Sequence, residues 1–392
     1  DEAILASLAE GSEGSWSFKI DNGYWVVMTR AELAGLLPLL KVLRVDDFGV
    51  VPIPPEEPRI ARTEGLRADV KPLTITQPDG PSFTVEGHLV RWQKWHFRVG
   101  FNVREGLVLY DIAYEDKGRL RPIMYRASLA EMVVPYGDPT GGNFRRNAFD
   151  TGEYGVGQLY DSLSLGCDCL GAIRYFDAWR HDWHGKPVRI ENAICMHEED
   201  FGLLWKFTNF MNGQVSRARS RRLVISGIST IGNYVYGFFW YFYQDGTIGV
   251  EVKATGIPFP TGIAVGSPST YGNIIAPGVD SHAHQHVFSF RFDMAVDGDQ
   301  NAVRETNFAG KPMGPGNAYG NAIVPIENPV ILNEGMEALQ YFDSIREGRT
   351  GVQRFATGPG GSATASAPAR ASSKVAAASF IRSIMDRVRR LA

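Results

Sequence analysis

The chain has 392 residues, 44% apolar and 11% aromatic, which is enough to bury a sizeable core and excludes low-complexity disorder over most of its length. Its 40 Lys and Arg against 43 Asp and Glu leave a net charge of -3, without the basic excess by which nucleic-acid proteins neutralise phosphates. Three cysteines are too few for a disulfide scaffold, no apolar run approaches the ~20 residues of a membrane span, and 43 glycines with 22 prolines favour a turn-rich β protein.

Residues 1–55 predict the remnant of a small α+β domain followed by a linker. A helix is expected over 30–43, with Leu33, Leu36, Leu37 and Leu40 on its apolar side, beside strand-like runs such as 24–27. Pro52, Pro54 and Pro55 then hold the backbone extended. The opening Asp1-Glu2, with no charged-then-apolar leader after it, reads as a processed product or a piece of a longer protein and leaves the compartment open.

Residues 56–345 read as a succession of short β runs, among them 97–101, 106–110 and 223–226. Gln244-Asp245-Gly246, between the runs 240–243 and 248–252, predicts a hairpin. One helical turn is expected at 129–132. The whole region fits a large antiparallel β-sandwich, so the fold class is mainly β. Residues 346–392 form a low-complexity tail. Within it 358–378 read as a linker; Phe380, Ile384, Val388 and Leu391 then recur at helical spacing among Arg382, Arg387, Arg389 and Arg390. That spacing fits a basic amphipathic helix on a partner or membrane surface, or a short solvated helix. The solvated helix is the expectation, and membrane contact by the tail is not expected.

Of eight histidines, three fall in Ser281-His282-Ala283-His284-Gln285-His286. Alternate residues of a strand share a face, so His284 and His286 present two imidazoles to one side. Neutral imidazole suits copper, zinc, iron or nickel, while a surface histidine run has the same spacing. His197-Glu198-Glu199-Asp200 lacks the second histidine of a metalloprotease helix, because Phe201 stands in its place. Cys167, Cys169 and Cys195 rule out a four-sulfur site and fit one disulfide plus one free thiol. Residues 155–160 lack the last glycine of a dinucleotide loop, and no Gly-x-Ser-x-Gly elbow occurs. The run 234–243 holds eight aromatics in ten positions, as a buried strand does.

Within that region Thr230-Ile231-Gly232-Asn233-Tyr234-Val235-Tyr236 resembles the cofactor motif of the copper amine oxidases, Thr-x-x-Asn-Tyr-(Asp/Glu)-Tyr. Other stretches resemble family blocks in family order: Val134-Pro135-Tyr136-Gly137-Asp138-Pro139, Asn147-Ala148-Phe149-Asp150-Thr151-Gly152-Glu153-Tyr154, Ala193-Ile194-Cys195-Met196-His197-Glu198-Glu199-Asp200, His284-Gln285-His286 and Pro312-Met313-Gly314-Pro315-Gly316-Asn317. The resemblance covers roughly residues 45 to 335. It implies a homodimeric enzyme that oxidises primary amines to aldehydes with oxygen, releasing ammonia and hydrogen peroxide. Tyr234 matches the tyrosine that copper and oxygen convert to topaquinone, and Asp150 matches the general base. Tyr136 matches the residue that hydrogen-bonds the quinone oxygen, and Asn233 the one that holds its ring. His284 and His286 match two copper ligands. Cys169 and Cys195 match the family disulfide, which leaves Cys167 free.

The sequence also departs from the family. The third copper ligand is a later histidine, yet none follows His286, and His282 can substitute only if the chain bends, since two strand residues advance ~6.6 Å. Val235 replaces an acid, and Ala148 stands where an aromatic gate is common. Asp293 keeps the first carboxylate of a peripheral calcium or manganese site without the second. The domains before residue 1 and the last strands are expected to be missing. Two readings follow: a copper- and topaquinone-dependent primary-amine oxidase, or a non-catalytic truncated sandwich lacking the third ligand.

Overall fold

A computed structural model of the chain describes residues 69–140, 143 and 146–329, together with two strands further upstream. The helix expected at 30–43, the linker at 50–55 and the tail at 346–392 lie outside the described residues. The upstream strands, β1 (Ser15–Lys19) and β2 (Trp25–Thr29), pair antiparallel, and β2 overlaps the run expected at 24–27.

The chain continues through β3 (Phe83–Glu86), β4 (Leu89–Trp92), β5 (Trp95–Asn102), β6 (Gly106–Asp116), β7 (Arg119–Pro135) and β8 (Asn147–Phe149). It then forms β9 (Arg174–His181), β10 (Pro187–Thr208), β11 (Val215–Ile231), β12 (Tyr234–Tyr243) and β13 (Ile248–Gly256). The short β14 (Pro260–Gly262), β15 (Gly272–Ala276) and β16 (Val279–His282) precede β17 (Val287–Met294), β18 (Arg304–Gly310) and β19 (Ile323–Pro329). One sheet runs β17-β7-β6-β5-β4-β3 with β8 on the end of β7; the other runs β13-β12-β11-β10-β9. All their pairings are antiparallel.

Both sheets contribute to one core. Phe97 stacks on Phe242 at 4.5 Å, Trp95 meets the same ring edge-on at 5.1 Å, and Trp240 packs against Phe290 and Phe292. Trp92, Leu109, Ile112 and Met132 from one sheet and Ile194, Met196 and Leu223 from the other are fully buried. In the aromatic run, Tyr236, Phe238, Trp240 and Phe242 alternate into this core, as a period of two requires. The chain is therefore a mainly β protein built as an antiparallel sandwich.

The expected hairpin forms between β12 and β13, with Gly246 at φ +96° and Tyr243 N–H bonded to the Thr247 carbonyl at 3.0 Å. The helical turn expected at 129–132 does not form, because these residues lie inside β7. Leu, Ala, Glu and Met favour a helix in isolation. Here β6 and β17 flank β7 and pair with it on either side, and burial of Leu129 and Met132 outweighs local preference.

Candidate active site

Tyr234 opens β12 directly after a two-residue loop, Gly232-Asn233, that joins it to its partner Ile231. Gly232 has φ +60°, a conformation glycine supplies at the first position of such loops. The other flank is fixed by Ile257 N–H on the Asn233 carbonyl at 2.8 Å. Gly256 must lack a side chain there, since a Cβ would lie 2.4 Å from that carbonyl oxygen. Alternation then places Tyr234 and Tyr236 on one face of β12.

Facing them is the segment between β16 and β17. It is docked on the end of β7 by Gly137 N–H to Ala283 O (2.9 Å) and Gln285 N–H to Pro135 O (3.2 Å), with Tyr136 opposite His284. Two tyrosine–histidine contacts result: Tyr234 hydroxyl to His284 Nε2 at 2.9 Å, and Tyr236 hydroxyl to His286 Nδ1 at 2.8 Å. The two imidazole centroids are 5.0 Å apart. The Tyr234 hydroxyl also lies 2.9 Å from that of Tyr136 and accepts the Phe259 N–H at 3.0 Å. Tyr136 stacks on His284 at 4.7 Å, and the Arg146 guanidinium covers the Tyr136 and Phe259 rings at 5.0 and 4.0 Å.

The partners assign the protons. His284 Nδ1 lies 2.8 Å from the His282 carbonyl, which can only accept, so Nδ1 carries a hydrogen, and in the corresponding neutral tautomer Nε2 keeps its lone pair. Tyr234 therefore donates to Nε2, and its oxygen accepts from both Tyr136 and Phe259. Burial, reinforced by the bond to Tyr234, pushes the Tyr136 hydroxyl far above its ordinary acidity range. Burial does the same to Tyr236, helped by the charge of Asp150. Burial and the neighbouring His284 hold His286 down to about 4, which keeps it the neutral imidazole that metals bind. Asp150 is buried at the start of a single π-helical turn, Asp150–Tyr154, that follows β8.

Tyr136, Tyr234, His284 and His286 thus share one contact network, with Asp150 electrostatically coupled to Tyr136 and Tyr236. Asn233 enters through its carbonyl. His282 stands apart. It ends β16, and its Nε2 sits 3.3 Å from Asp138 and 3.4 Å from Asp280. Among the described residues no three His, Cys, Asp or Glu side chains are grouped to hold a metal ion. His284 and His286 fit copper in donor type, as two of a ligand set. Asp293 is buried, with its carboxylate 3.2 Å from Arg291. Cys169 and Cys195 are disulfide-bonded, and Cys167 is free and exposed. Ala148 pairs with Val134 on β7, and Val235 with Thr255 on β13.

Three participants escaped the sequence reading. Phe259 contributes a main-chain N–H and so leaves no residue-type signal. Tyr236 lay inside the motif but also inside an aromatic run that core packing explains. Arg146, beside Arg145, looks like any surface basic pair in the sequence.

Comparison with known proteins places this geometry. Residues 84–345 match the family model described as copper amine oxidase, enzyme domain. A histamine oxidase from Arthrobacter globiformis is 48% identical over 311 residues, covering 78% of this chain and 45% of that protein. A copper-containing diamine oxidase from Nicotiana tabacum is 44% identical over 315 residues, covering 78% and 40%. Among solved structures, a copper-containing benzylamine oxidase from Hansenula polymorpha superposes with a TM-score of 0.65 at 41% identity, covering 70% of this chain and 44% of that one. The chain spans less than half the length of these relatives.

Proposed function

From the premise that this chain belongs to the copper amine oxidase family, we propose that it oxidises primary amines. A primary amine, oxygen and water would give an aldehyde, ammonia and hydrogen peroxide. The observation that carries the reading is the Tyr234 hydroxyl, 2.9 Å from His284 Nε2 and 2.9 Å from the Tyr136 hydroxyl. A tyrosine aimed at the lone pair a metal would use is suitably placed to be a cofactor precursor.

Copper held by His284 and His286, with the topaquinone derived from Tyr234, would supply the electron transfer from amine to oxygen. The remaining work belongs to ordinary side chains. The Asp150 carboxylate takes the proton from the carbon beside the substrate nitrogen, and its burial keeps bulk water from competing. Tyr136 holds the Tyr234 oxygen by its O–H, and Asn233 anchors the loop that aims the ring. The His284 ring is oriented by the His282 carbonyl. A calcium or manganese ion at Asp293 would have to displace Arg291 from the carboxylate.

The partner is a second copy of the chain. The hairpin of β10 and β11 exposes Phe201, Leu203, Trp205, Phe207 and Phe210, a patch that a self-complementary interface would cover. No helix among the described residues is long and apolar enough to cross a membrane.

The test is amine-dependent peroxide and aldehyde release by the copper-treated chain, beside Tyr234→Phe. Loss of turnover with unchanged strand content is expected in the variant. Undiminished turnover would contradict the assignment of Tyr234.

A further inference from the structure

Glu131 on β7 sits next to a bulge. Ser289 and Phe290 of β17 are consecutive, yet they pair with Glu131 and Leu129, which skips Ala130. A bulge re-aims the side chains beside it. The Glu131 carboxylate reaches to the π-helical turn that begins at Asp150. Its Oε1 accepts the N–H groups of Thr151 at 3.1 Å and Gly152 at 3.0 Å, with that of Met132 at 3.0 Å. Its Oε2 is held by Arg104 Nη2 at 3.2 Å, and Arg104 Nη1 donates to the Ala130 carbonyl at 2.7 Å.

The fit is close on every side. A Cβ on Gly152 would lie 2.7 Å from Glu131 Oε2, so only glycine leaves room for the carboxylate. Phe149 N–H donates to Glu153 Oε2 at 3.2 Å, and Val156 N–H donates to the Arg104 carbonyl at 3.0 Å just past the turn. The first N–H groups of a helical turn have no partner inside it. A carboxylate that takes those of Thr151 and Gly152 fixes the backbone immediately after Asp150.

We propose that Glu131 is the positioning residue for Asp150: it clamps the turn from β7 and so sets where the Asp150 carboxylate lies relative to the Tyr234 ring. The inference rests on Asp150 being the group that takes the substrate proton. Arg104 in turn holds Glu131. Proton transfer from carbon is steep in geometry, and a displacement of ~1 Å costs about 100-fold in rate.

The experiment compares Glu131→Ala, Glu131→Asp and Glu131→Gln, with Asp150→Asn as reference. It measures kcat per phenylhydrazine-titratable quinone, KM for the amine, and deuterium exchange at the Thr151 and Gly152 amides. Glu131→Ala is expected to lower kcat per quinone about 100-fold with KM little changed, and to speed exchange at both amides. Glu131→Asp withdraws the carboxylate by one methylene; it moves both readouts the same way and carries the test if the alanine variant does not fold. Glu131→Gln keeps an oxygen for the two N–H groups but turns an amide NH2, itself a donor, toward Arg104, so it recovers only part of the rate. A purely structural role would lower folded protein and titratable quinone while leaving kcat per quinone untouched. That pattern, or amides that exchange no faster in the Ala and Asp variants, overturns the proposal. Wild-type turnover in Asp150→Asn would instead overturn the base assignment. If no form turns over, amides that exchange no faster in the Ala and Asp variants still overturn the proposal.

Discussion

The Tyr234 hydroxyl has three partners of different kinds: the main-chain N–H of Phe259, the O–H of Tyr136 and the lone pair of His284. Only the Tyr136 contact is removed by a conservative side-chain change. Tyr136→Phe deletes one hydrogen bond worth about 1 kcal/mol, so turnover is expected to fall roughly five- to tenfold, with the His284 contact kept. Steady-state kinetics on a series of amines checks this; a rate unchanged across the series would contradict the role of Tyr136 as donor to the Tyr234 oxygen. Tyr136, Asp150, Asn233, Tyr234, His284 and His286 were legible in the sequence because each falls in a short block whose order is itself informative. His282 shows what spacing alone misses. It lies two residues before His284, which suggests a shared face, but β16 ends at His282 and the side chain meets Asp138 and Asp280 instead.

Element-level behaviour follows from which strands are flanked and which loops are tight. The β12–β13 hairpin was readable because Asp-Gly between apolar runs reports a local turn, whereas 129–132 was misread because its ladder partners lie far away in the chain. The Gly232-Asn233 loop depends on Gly256. Gly256→Ala places a side chain at φ +95° and 2.4 Å from the Asn233 carbonyl, so a stability loss of more than about 1 kcal/mol is expected in urea melts, with turnover reduced. On the β10–β11 surface, the bond to His197, with Arg222 beside it, holds Glu199 down to about 2 from an ordinary 4.5. A group that is more acidic folded than unfolded adds stability above pH ~4.5, and that stability is lost as pH falls toward ~2. Glu199 is about a third exposed, so solvent screening keeps the effect modest. Glu199→Gln is therefore expected to lower stability modestly at neutral pH and to flatten the acid limb of the stability curve in that window. An acid limb identical to the parent's would contradict the assignment.

For the whole molecule, the sandwich brings segments distant in sequence to one place: β12 from one sheet, and the end of β7, β8 and the segment before β17 at the other. Alternating apolar residues made the class of fold legible, but which strands lie together depends on contacts across the core, such as Phe97 on Phe242, that no local pattern encodes. The exposed β10–β11 hairpin bears on assembly. If the proposed pairing of two copies uses this patch, Leu203→Asp with Phe207→Asp lowers the sedimentation coefficient of the parent chain to that of a monomer, and a coefficient equal to the parent's would contradict the patch as an interface. Tyr234, beside its imidazole pair, is the proposed cofactor precursor. The most direct test of that role is aerobic incubation of the metal-free chain with copper, followed by a visible absorption spectrum and the mass of the peptide containing Tyr234. A visible quinone band together with a mass change at Tyr234 is the expected result. An unmodified Tyr234 in a chain that has bound copper would contradict it.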